Sequence, residues 1–158
     1  DHKNKDKNRD KLNELLANLE KIKSEKATEI FMNLKAQYIA FIEDDEQSAI
    51  ELIDEAIAKM QDSFYLKLTK FDICNKFDNL DGMSKVLEIL KSETQNKSYF
   101  QNFYLRKQVI YLAKIGEYEA AVDLINIKLK NLSEEARQKL KDKVDEIKEH
   151  KTSSIDII

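Results

Sequence analysis

The sequence predicts an all-α chain of antiparallel helix hairpins. Three observations carry this: the 158 residues contain no proline and only two glycines; apolar residues recur at steps of three and four along almost the whole chain; and the few turn signals fall at a common spacing. A chain of this length suits one domain and buries about two-thirds of the surface its unfolded form exposes.

Residues 1–10 hold nothing apolar and read as a charged linker or frayed end. Leu12, Leu15, Leu16, Leu19 and Ile22 then form the stripe of an amphipathic helix over 11–25. No glycine or proline separates this stripe from the next, so 11–42 is either one helix or two. Two are expected, with Ser24 or Thr28 capping the second. That second helix carries Ile30, Phe31, Leu34, Tyr38, Phe41 and Ile42, and the acidic run Glu43 to Glu46 follows it. The run fits a turn, with its acids near the positive end of the next helix.

The next stripe is Ala49, Ile50, Leu52, Ile53, Ala56, Ile57 and Met60. Asp62 or Ser63 caps a helix bearing Phe64, Leu68, Phe71, Cys74 and Phe77, which the turn signal Asn79-Leu80-Asp81-Gly82 ends. A shorter helix holds Met83, Val86, Leu87, Ile89 and Leu90. The polar stretch 91–98 separates it from a helix apolar on nearly all sides, from Phe100 and Phe103 to Val109 and Leu112. Ile115-Gly116-Glu117 turns the chain into Val122, Leu124, Ile125 and Leu129. Asn131-Leu132-Ser133 introduces the last helix, 133–150, with the stripe Ala136, Leu140, Val144 and Ile147; 151–158 reads as a tail.

Composition excludes several function classes. The 27 basic and 30 acidic residues leave a net charge of -3, and only Arg9, Arg106 and Arg137 are arginine. Neither nucleic acid nor an acidic membrane is therefore expected as a partner. A lone cysteine closes no intramolecular disulfide, and zinc spacing is absent. Cys74 reads as a buried small hydrophobe, its thiol pKa raised by apolar surroundings. The acidic run lacks the alternating ligands and central glycine of a calcium loop. His2 and His150 sit in a charged stretch and at a helix end, poor places for general acid-base work. Two isolated glycines, Gly82 and Gly116, cannot build a dinucleotide or phosphate loop. No catalytic residue, cofactor or metal ligand is expected. Nor does any apolar run reach the ~18 residues of a membrane span. The compartment stays open between the cytoplasm and attachment to an envelope through a segment upstream of Asp1.

Aligning residues 81–90 with 116–125 matches turn with turn and apolar with apolar, and 44–53 follows the same outline, a period of 35 to 37. Gly116-Glu-Tyr-Glu-Ala-Ala-Val resembles the turn and second-helix opening of a tetratricopeptide repeat, with Gly116, Tyr118 and Ala121 in the family's places. In the second unit Met83 stands for the aromatic, Val86 for the alanine, and Cys74 and Phe77 for the small and large residues of the first helix. Ala49 and Ala56 match in the first. The family's tryptophan and closing proline are missing throughout. The resemblance implies a right-handed superhelical solenoid with repeats 28–60, 62–93 and 98–131, closed by helix 133–150, all within one domain over 11–150.

It also implies peptide or protein binding on a concave face. Carried over position by position, the groove residues are Phe31, Leu34 and Tyr38, then Leu68, Phe71 and Asn75, then Phe103, Arg106 and Ile110. The lysine and paired-asparagine set of members that grip chaperone tails is missing. An apolar groove calls for an occupant, either a partner's amphipathic helix or the chain's own N-terminal helix through Leu12, Leu15, Leu16, Leu19 and Ile22. The expectation is a non-catalytic protein-binding adaptor or scaffold. The alternative is an oligomerisation or membrane-tethered spacer module, with the N-terminal helix covering the groove or making a homo-oligomer contact.

Overall fold

A computed structural model describes residues 2–155, with side chains from 6 to 151. All the regular structure among them is helical, in eight helices. The chain divides into two compact units, 1–77 and 78–158, a boundary inside the second expected repeat. No helix among the described residues is long and apolar enough to cross a membrane.

The first unit contains α1 (His2–Glu20), α2 (Glu25–Phe41), α3 (Glu46–Lys59) and α4 (Phe64–Lys76). Residues 2–10, expected as a linker or frayed end, are helical and continuous with the leucine stripe. The segment 11–42 is two helices: α1 stops at Glu20, and Ser24 Oγ accepts from Ala27 N at 3.1 Å to cap α2. Asp45 and Ser63 cap α3 and α4 in the same way. These caps satisfy amide donors that a helix start otherwise leaves unpaired. Helices α2, α3 and α4 pack on one another, and α1 packs on α2. Their core joins Met32, Ala36 and Ala40 to Ala49, Ile53, Ala56 and Met60, and to Leu66 and Ile73. Two alanines on α2 face two on α3, so the two helices approach closely. Each fully buried isoleucine or leucine contributes about 1.5–3 kcal/mol.

The second unit contains α5 (Leu80–Thr94), α6 (Ser98–Lys114), α7 (Tyr118–Lys128) and α8 (Glu134–Ile155). Helix α6 packs against α5, α7 and α8, and α7 against α8. Met83, Leu90, Val109, Ala113, Ala121, Ile125, Leu129 and Val144 are its most deeply buried apolar side chains among the described residues. Ser133 Oγ accepts from Ala136 N at 3.1 Å to start α8, which runs past the expected end at 150 to Ile155; the last three residues of the expected tail lie outside the described residues.

Three turns share one backbone plan. Asp44 (φ 60°), Asp78 (φ 54°) and Gly116 (φ 90°) are left-handed. Each is followed directly by the residue that opens the next helix: Asp45, Asn79 and Glu117. The turns thus run from 44 to 78 and from 78 to 116, spacings of 34 and 38. The expected second turn at Asp81-Gly82 is corrected: Gly82 lies in the first turn of α5, where its N–H donates to Asn79 Oδ1 at 2.9 Å. Aspartate takes the left-handed position because its short polar side chain tolerates it better than most. Five residues after each turn residue, Ala49, Met83 and Ala121 are fully buried.

Candidate functional site

The corrected turn shifts which faces of the first helices point outward. The fully buried Ala36, Phe71 and Val109 hold the inward place on α2, α4 and α6. In α2 it lies one residue further from the turn, because Glu43 intervenes between the cap Ile42 and Asp44. Taking Phe103, Arg106 and Ile110 as the outward set of α6, the equivalents are Tyr65, Leu68 and Asp72 on α4 and Ile30, Asn33 and Gln37 on α2.

The residues expected to line a groove therefore separate into three groups. Phe103, Arg106, Ile110 and Asn75 are half-buried, with surface to offer. Phe71 is fully buried, which places it in the packing of α4 and corrects its assignment to an open groove, while Leu68 keeps an outward register position but is nearly buried. In α2, Phe31 packs beside the core and Leu34 is half-buried. Tyr38 is buried, and its hydroxyl accepts a hydrogen bond from Arg9 Nε at 2.8 Å, so it faces α1.

In the first unit the outward faces of α2 and α4 border a cleft of about 300 Å³, lined by Gln37 and Phe41 on one side and Thr69, Asp72, Asn75 and Lys76 on the other. Five of its six lining residues are polar or charged, unlike the apolar groove expected. Gln37 Nε2 donates to Asn33 Oδ1 at 3.1 Å. Lys76 Nζ holds Asp44 Oδ1 at 2.7 Å and lies 4.8 Å from the centre of the Phe77 ring and 6.0 Å from that of Phe41. Asn75 Oδ1 is buried without a hydrogen-bond partner. No described side chain of α1 lines this cleft; α1 lies on α2 as an added layer, with Leu16 buried, Leu12 and Leu19 half-buried, and Leu15 and, just past the helix, Ile22 exposed at 46% and 53%.

In the second unit the outward stripe of α6 begins at Tyr99, which is 69% exposed. Its ring lies 5.2 Å from Phe100 edge to face and 5.9 Å from Phe103. One turn beyond Phe103, Arg106 Nε is buried without a partner, and Ile110 ends the stripe. Tyrosine, phenylalanine and arginine together make the composition of an interaction hot spot. Arg137 Nε on α8 is similarly unpartnered, and nothing in the sequence marked it.

No three potential metal ligands converge among the described residues. Burial pushes the Cys74 thiol up to about 11, leaving it protonated at neutral pH. The side chain of His2 lies outside the described residues. The molecule belongs to the broad class of all-helical proteins built from short packed hairpins. Comparison with protein-family models, with curated proteins and with solved structures finds no match.

Proposed function

We propose that this chain is a non-catalytic adaptor of tetratricopeptide-like construction, binding a segment of another protein on the outward faces of its first helices. The observation that carries the reading is a pair of buried polar atoms without partners, Asn75 Oδ1 beside the first-unit cleft and Arg106 Nε in the outward stripe of α6. One accepts and the other donates, and each costs about 1–3 kcal/mol until something pairs with it. In each unit by itself a bound peptide backbone supplies the missing partner, an N–H for Asn75 and a carbonyl for Arg106. Support for a repeat comes from the shared turn plan and the buried positions that follow it. Hairpins of this kind, stacked, present their first helices along one concave side.

Photo-crosslinking tests the reading. A photoreactive residue at Asp72 or Tyr99 is expected to trap one and the same partner protein, and one at the exposed Ile127 to trap none. Asn75→Ala with Arg106→Ala should abolish the adduct without lowering the melting temperature. Equal labelling from all three positions would refute the assignment.

The exposed Leu15 and Ile22 favour a second reading, self-association through α1. Leu15→Glu with Ile22→Glu would then convert an oligomer to a monomer in light scattering, and a wild-type monomer at all concentrations would exclude it.

A further inference from the structure

We propose that the second unit holds a binding site for an anionic amphiphile, in the cleft where the latter half of α8 faces the start of α5 and the end of α6. The cleft measures about 710 Å³, within the range of small-molecule sites, and all its lining residues belong to this unit. Leu80, 39% exposed, and Ile147 supply its apolar wall. Two apolar side chains are too few to anchor a partner helix, which needs contacts at i, i+3, i+4 and i+7. An alkyl chain needs no such periodicity.

The charges on the rim select the head group. Asp78 is paired with Lys114, and Glu146 with Lys143 at 3.1 Å. Both acids lining the cleft are thus already neutralised within it. Lys151 also lines it, and among the described residues its ammonium donates to the backbone carbonyl of Lys114 rather than to an acid. An apolar wall beneath a positive charge that no acid among the described residues pairs with is complementary to a carboxylate, sulfate or phosphate carried on an alkyl chain. The site shares no residue with the surfaces proposed to bind a partner protein, so either reading can fail alone.

Titration of the intact chain with dodecanoate, dodecyl phosphate, dodecyltrimethylammonium and acetate, all below micelle formation, tests this. Both long-chain anions are expected to bind saturably, with amide NMR shifts centred on Leu80 and Ile147, while the cation and acetate bind weakly or not at all. A preference between the two anions identifies the head group. Lys151→Met should weaken binding about fivefold, the effect of one exposed ion pair. Leu80→Asn should weaken it about tenfold through lost apolar contact. Lys151→Glu should reverse the preference toward the cation. Equal binding of anion and cation, no binding, or anion binding unchanged in all three folded variants would overturn the proposal.

Discussion

Asp78 and Gly116 adopt the same left-handed backbone conformation, each directly ahead of the residue that opens the following helix. A Cβ at Gly116 would meet nothing within 4 Å, so glycine serves there for its backbone freedom alone. Gly116→Ala should therefore cost about 1–2 kcal/mol through the left-handed strain. Gly116→Asn should recover part of that loss, because asparagine visits this region more readily. Thermal melts of the two variants check the order. Equal losses would mean that side-chain crowding decides instead.

The close approach of α2 and α3 depends on alanines, and Ala49 and Ala56 have no exposed surface. Ala49→Leu should destabilise by about 1–3 kcal/mol through overpacking. Ile53→Ala, in the same core, should cost about 2–5 kcal/mol through the cavity it leaves. Urea unfolding measures both.

How far the sequence led depended on how local each signal was. Ser24, Ser63 and Ser133 cap helices where the stripes place the starts, since a cap bond reaches only three residues along the chain. The second turn was misplaced by three residues because glycine is the usual left-handed residue, and here Asp78 takes the role while Gly82 goes into a helix. That shift moved Phe71 from the expected groove into the packing and brought Asp72 to the cleft. Asn75 and Arg106, single polar residues among apolar ones, stood out from sequence alone. Their lack of partners did not, because it depends on which helices surround them.

Cys74 offers a prediction with a sign. Its thiol pKa is raised from 9.0 to about 11, first by burial, with the acids Glu46 and Asp54 adding to the shift. Between those values the unfolded chain releases the thiol proton while the folded chain keeps it. Stability should therefore fall as pH rises from about 9 to 11. Cys74→Ala should flatten this part of the pH profile. At pH 8 a disulfide reagent should label the folded chain far more slowly than the chain in denaturant, because the thiolate is the reacting species.

The Arg9 to Tyr38 hydrogen bond ties α1 to α2, the helix it packs on among the described residues. Tyr38→Phe should loosen that attachment and raise amide hydrogen exchange in α1 while leaving α3 and α4 protected. Exchange that rises equally in all four helices would show that α1 belongs to the cooperative core of the unit.

Lys67 is the buried charge whose replacement best separates packing from pairing. It is only 5% exposed, and its ammonium donates to the Gln61 carbonyl at 2.6 Å. On α4 it lies four residues before the inward Phe71, where α6 has Leu105 before Val109, so its stem fills an apolar position. Lys67→Met keeps the stem and removes the buried charge, and should change stability by no more than about 1 kcal/mol. Lys67→Ala removes stem and hydrogen bond together and should cost about 2–4 kcal/mol. If methionine proves as damaging as alanine, the ammonium's bond to the carbonyl outweighs the packing of its stem.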